Sequence, residues 1–224
     1  MPTGRTYDQY CAIARGLDVV GDRWTLLVVR ELLTGPKRYG ALLAGLPGVA
    51  TNLLADRLRT LEAAGVIERG LGPGGPRTRP YRLTAWGAQL EPVVLAIARW
   101  AAPLLGEPRP DDEYRLRWLL LTLQARFDAA AAGDRRRVYE FRLGDEIVHV
   151  RVEGGGARPA EGPAHRPDVV LAGDMRTFLA WGTGHLSAEA ATADGLVVRT
   201  ADGRPHPDPI GALDELRTLF PDDG

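Results

Sequence analysis

Between residues 51 and 64, Leu54, Leu58 and Leu61 recur at spacings of four and three, the period of a helix that buries one narrow stripe. Thr51, Asn52, Asp56 and Arg59 fall on its other side, as side chains able to hydrogen-bond base edges or phosphates in a DNA groove. Alone, this is also the pattern of any amphipathic surface helix. Its neighbours shift the balance. Upstream, the apolar run 23–34 stops at Gly35 and Pro36, and a second helical pattern opens at Arg38 and Tyr39, which predicts helix, turn, helix. Downstream, VIERG and PYRLT read as two short strands around a Gly/Pro-rich loop carrying Arg77 and Arg79; the plain alternative is a solvated hairpin.

From residue 84 to 104 the large apolar residues Trp86, Leu90, Val93, Ile97, Trp100 and Leu104 are spaced four, three, four, three and four, a seam of coiled-coil type that calls for a partner helix. Packing within its own domain is the alternative, but two Trp on one seam favour dimerisation. Pro92 removes a backbone donor, which predicts a kink or restart near 88–91.

The patterning changes after GEPRPDDE (106–113), which has two prolines, several charges and no apolar residue. It marks a break between a domain at 1–105 and another at 113–224, with 106–112 as linker. The second domain opens with a helical face of Leu116, Leu119, Leu120, Leu123 and Phe127, ended by Gly133. A hairpin follows, Tyr139, Phe141 and Leu143 alternating with polar residues, then Val148, Val150 and Val152. Residues 154–167 read as a loop, DVVLAG as a third strand and GLVVRT as a fourth. Asp174, Ser187 and Asp208 stand where helices need N-caps, the last followed by proline at the first helical position. The chain is therefore expected to be α+β, its second half a small sheet with helices on one face.

Charge divides along the same boundary: residues 1–105 hold 13 basic and 8 acidic side chains, and residues 106–224 hold 15 and 21, which leaves the whole at −1. The basic half is the one expected to meet DNA, though the excess is modest. No window approaches the length of a membrane span and no signal-peptide core opens the chain, so a cytoplasmic protein is expected. The four histidines and Cys11 show no metal-ligand spacing, and no phosphate loop or nucleophile motif is present; neither metal, cofactor nor catalysis is expected.

The combination of Cys11, DRWTLLVVRELLTGPKRYGALL, LPGV, LADRLRTLEAAGVIER, PYRLTAWG and Trp100 resembles the HxlR family of winged-helix transcriptional regulators, over roughly residues 1–105. The resemblance implies a homodimer whose recognition helices enter successive major grooves of a palindromic operator in double-stranded DNA, with the wings on the flanking backbone. It makes Arg38, Tyr39, Thr51, Asn52, Asp56, Arg59, Arg77 and Arg79 the DNA-contact candidates, and Trp86, Leu90, Val93, Ile97 and Trp100 the dimerisation candidates; it also favours repression. In some members a cysteine near the position of Cys11 senses oxidants or electrophiles. Cys11 sits in an apolar context with no second cysteine to resolve it, so packing is favoured over redox sensing.

Residues 113–221, from VYEFRL through DVVLAGDMRTFLAWGTGHLSAEAATADG to LRTLF, are similar to the sterol carrier protein domain, whose members hold an apolar cavity for hydrophobic molecules. On that resemblance Leu119, Leu123, Phe127, Phe178, Trp181, Leu216 and Phe220 are ligand-binding candidates; simple core filling accounts for them equally well. The chain is expected to be a transcriptional regulator that binds specific DNA and responds to a small hydrophobic ligand. Two alternatives stand beside it: a regulator with a purely structural second domain, gated or not by Cys11, and a hydrophobic-ligand carrier.

Overall fold

The computed structural model describes residues 6–70, 79–104 and 114–221, and the chain divides into two compact units, 1–94 and 95–224. The 106–112 segment and Arg77 lie outside the described residues.

In the first unit, four helices run α1 (Ala12–Val20), α2 (Thr25–Leu33), α3 (Tyr39–Gly45) and α4 (Thr51–Ala63). Val28 and Leu32 of α2, Leu42 of α3 and Leu54, Leu58 and Leu61 of α4 converge on one core with Val66, Ile67 and Tyr81. Gly48, at φ +81, turns the chain between α3 and α4, in a backbone region that side chains other than glycine rarely adopt. An antiparallel pair follows, β1 (Ile67–Arg69) and β2 (Tyr81–Leu83). Lys37 and Tyr81 exchange backbone hydrogen bonds of 2.9 and 2.8 Å, so the turn before α3 is tied to the wing. This is a winged helix-turn-helix.

The exit from the wing is held by a close backbone approach. The Thr84 hydroxyl donates to the Gly65 carbonyl at 2.7 Å and accepts from the Gly87 N–H at 3.0 Å. A Cβ on Gly87 would stand 1.9 Å from the Val66 carbonyl oxygen. A 3-10 turn (Gly87–Leu90) then restarts as α5 (Glu91–Ala101) with Pro92 in its first turn, where a missing N–H breaks no helical bond. The restart falls where Pro92 predicts it.

The second unit is a mixed five-stranded sheet with helices. Its strands are β3 (Arg137–Leu143), β4 (Glu146–Glu153), β5 (Gly156–Glu161), β6 (Val169–Gly173) and β7 (Val197–Thr200), in the order β5-β4-β3-β6-β7. Only β3 and β6 are parallel. Tyr139, Phe141, Val148, Val150, Val169 and Leu171 share one face and enter the core with residues of α6 (Leu116–Arg126), α8 (Met175–Gly182), α9 (Ala188–Ala193) and α10 (Pro209–Leu219). Asp174, Ser187 and Asp208 cap α8, α9 and α10 as the sequence predicts.

Two expectations fail here. Residues 156–161 are a strand, not part of a loop. Pro159 breaks the apolar pattern but is tolerated because β5 is at the sheet edge. The helix expected to run to Gly133 stops at Arg126. Phe127 turns extended to meet Phe220, ring centroids 5.7 Å apart. Asp128 then caps a separate turn, α7 (Ala129–Ala132).

Candidate nucleic-acid interface

The candidate interface is built on α4. Its three leucines are at most 1% exposed, and this anchoring turns Thr51, Asn52, Asp56 and Arg59 outward, all four exposed. Among the described residues no side chain caps the helix at Ala50, a helix start of the kind that suits an acceptor such as a phosphate. Asp56 is neutralised on the helix surface by an ion pair with Arg59. Such an exposed pair is weak, so Arg59 is free to exchange its partner for a phosphate or a base edge.

Tyr39 is half-buried and donates from its hydroxyl to the Thr51 carbonyl at 2.7 Å, so it positions the start of α4. Arg38 is exposed at the N-cap of α3. Arg79 is exposed at the described end of the wing loop. The interface thus brings together Thr51, Asn52, Asp56 and Arg59 on one helix face.

Sequence reasoning passed over the parts that brace this face. Arg57, on the same helix, forms an ion pair with Asp22 in the turn between α1 and α2. Arg69 lies 4.5 Å from the centroid of the Tyr81 ring and pairs with Glu62 at 3.5 Å; burial pushes the Tyr81 hydroxyl pKa up. Glu68 and Arg82 face each other across the β1–β2 pair and bridge at 2.8 Å. The alternating charges of IER and YRL were the available signal, since opposite charges in cross-strand register stabilise a hairpin.

The seam residues are placed differently. Leu90 is half-buried and packs on the first unit's core. Trp86, Val93, Ile97, Trp100 and Leu104 are between 43% and 76% exposed, and no residue of α5 is buried. Cys11 is not packed, contrary to expectation. It is exposed at the N-cap of α1, a helix that buries only Ala14. The N–H groups of Ala14 and Ile13 lower its thiol pKa.

In the second unit, Phe178, Trp181, Leu216 and Phe220 are buried, and Leu119, Leu123 and Phe127 pack partly buried against the same core. Phe178 contacts both Phe141 and Trp181, with centroids 5.5 Å apart in each case. The Trp181 indole Nε1 is buried without a hydrogen-bond partner among the described residues. Among the described residues no helix is long and apolar enough to cross a membrane.

An HxlR-like helix-turn-helix family model matches residues 19–108. An HTH-type transcriptional regulator of Synechocystis sp. is 42% identical over 87 residues, covering 39% of this chain and 64% of the relative. The chain therefore spans just under two thirds of that relative's length. The HTH-type transcriptional regulator YvaP of Bacillus subtilis is 36% identical over 87 residues, covering 39% of this chain and 81% of YvaP. Among solved structures, the reduced form of the transcriptional regulator YodB from B. subtilis aligns with a TM-score of 0.38 at 28% identity, over 45% of this chain and 100% of that one.

Proposed function

The chain belongs to the HxlR-like helix-turn-helix family of transcriptional regulators, and from that premise we propose that it represses transcription as a homodimer bound to a palindromic operator, under control of a small hydrophobic ligand. The observation that carries the DNA reading is the face of α4. Three leucines fix the helix to the core while Thr51, Asn52, Asp56 and Arg59 stay exposed. Dimerisation is supported by α5, where Val93, Ile97 and Trp100 form an exposed apolar stripe; such a stripe marks an interface.

Ligand uptake by the second unit is supported by Trp181. A buried donor without an acceptor is unfavourable, and a small apolar molecule carrying one acceptor oxygen satisfies it. Ligand binding that biases the separation of the two recognition helices would change operator affinity by about 5- to 150-fold. A second reading, control through Cys11, is favoured by the exposed thiol and its lowered pKa; here an electrophile changes operator affinity in the native chain and has no effect on Cys11→Ser. Nothing in these roles calls for catalysis.

The test is fluorescence anisotropy on duplex DNA from upstream of the protein's own gene, against a scrambled duplex, at two salt concentrations. Preference for the native duplex that survives higher salt supports sequence-specific reading, whereas equal, salt-sensitive binding to both overturns it.

A further inference from the structure

The face of the second unit's sheet that turns away from its core carries an unusual concentration of arginine. Arg142 on β3, Arg151 on β4, Arg158 on β5 and Arg199 on β7 all belong to this face, by the alternation of each strand against the buried residues. Arg142 is tied to the buried Glu140 at 2.6 Å, and Arg199 donates to the Gly203 carbonyl. Arg151 and Arg158 are different. They stand directly opposite each other in the β4–β5 register, both exposed, and like charges in that position destabilise a sheet.

Beside Arg151 is a cleft of about 290 Å³, just below the usual range for drug-sized ligands and so of a size for a compact one. Arg136, Arg137 and Arg166 join Arg151 in lining it, Arg137 being tied to Glu215 at 3.6 Å. Among the described residues no carboxylate pairs with Arg136, Arg151 or Arg166. Two acidic residues also line the cleft. Asp168 is already engaged, its Oδ2 accepting from the Val138 N–H at 2.7 Å, and Glu153 is half-buried. The cleft therefore presents an excess of guanidinium groups, whose planar forks match the oxygens of carboxylate and phosphate.

We propose that the cleft between Arg136, Arg151 and Arg166 is a binding site for one compact oxyanion, a small carboxylate or phosphate compound. Of the facing pair Arg151 and Arg158, it is Arg151 that lines the cleft and meets the anion. A nucleic-acid backbone fits less well: the site is concave, it includes two carboxylates, and residues 106–224 hold 21 acidic against 15 basic side chains, a field that disfavours a polyanion.

The test titrates the full-length protein with citrate and with inorganic pyrophosphate by calorimetry at low ionic strength. The expected result is saturable uptake of one anion per chain, weakened about tenfold by Arg151→Gln and again by Arg166→Gln, the loss of one charge-assisted contact each. Arg204→Gln, at an exposed residue already paired with Asp202, is expected to leave uptake unchanged. Because Arg151→Gln also removes a like-charge contact, its thermal midpoint is expected to equal or exceed that of the native protein. Absence of saturable uptake of both probes overturns the proposal, as does equal weakening by Arg204→Gln. Sedimentation with phosphatidylglycerol vesicles separates a lipid headgroup from a free anion: capture by vesicles without uptake of either soluble probe also overturns it, and so does loss of duplex DNA binding in Arg151→Gln with anion uptake intact.

Discussion

Helices α4 and α5 carry the same kind of sequence signal and meet opposite fates. In α4 the leucines at spacings of four and three are buried completely; in α5 the residues at the same spacings, Val93, Ile97 and Trp100, are exposed, Trp100 by 76%. Helical periodicity specifies which side of a helix is apolar. It does not specify what covers that side, because cover is a property of the rest of the core or of a second chain.

Removal of an apolar side chain from each helix is expected to have unequal effects. Leu58→Ala leaves a cavity in a closed core and is expected to destabilise the protein by about 2–5 kcal/mol. Val93→Ala, at a side chain that is 43% exposed, is expected to stay within about 0.5 kcal/mol for the isolated chain. Urea unfolding at low protein concentration measures both. A comparable loss in the two variants means that α5 is covered within the chain after all, and the contrast collapses.

A second substitution sharpens the α5 side. Ile97→Asp places a charge in the middle of the seam, at a side chain that is 43% exposed. If α5 is the dimer contact, sedimentation velocity is expected to show the dissociation constant rising about hundredfold, with unchanged far-ultraviolet circular dichroism. A native protein that is monomeric, or a variant that dimerises equally well, removes α5 from the interface.

On α4 the polar face is the one to test. Arg59→Ala is expected to weaken operator binding by about tenfold, with a smaller salt dependence if the contact is to phosphate and relaxed base preference if it is to a base edge. Stability is expected to change little, since only the exposed pair with Asp56 is lost. An unchanged operator affinity means that the exposed face of α4 is solvent-facing and nothing more.

The two helices also show what was legible in advance. Where a residue's role depends on its own element, the sequence sufficed: the α4 stripe, the restart at Pro92 and the three N-caps all follow from local chemistry. Where the role depends on a distant segment, it did not. Strand β5 was hidden because Gly156 and Pro159 spoil its alternation, and only its place at the sheet edge makes them tolerable. Phe127 continued an apolar spacing that the chain abandons in favour of Phe220, 93 positions later. Gly87 has no side chain to read, yet its approach to Val66 fixes the exit of the wing. Cys11 sits in an apolar stretch but on a helix that has little to pack against. Of the candidate interface, the helix face was legible and its braces were not: the Arg57–Asp22 and Glu68–Arg82 pairs depend on tertiary approach and strand register.

The helix caps carry a smaller expected effect than the buried leucines of α4, and one that depends on pH. Asp174 accepts from the Thr177 hydroxyl at 2.6 Å and from its N–H at 2.9 Å, contacts that hold its carboxyl pKa below the ordinary 3.8. A depressed value means that the ionised form stabilises the fold. The contribution is complete above about pH 5 and fades as pH falls through the unfolded-state value toward the lower folded one. Asp174→Asn preserves a weaker cap, whereas Asp174→Ala removes it and is expected to lower stability by about 1 kcal/mol at pH 7. The difference between native protein and Asp174→Ala should then shrink by pH 3, as followed by urea unfolding across that range. A difference that holds constant down to pH 3 means that the side chain acts by packing rather than as a charged cap, in a helix whose start the sequence otherwise predicts on capping grounds alone.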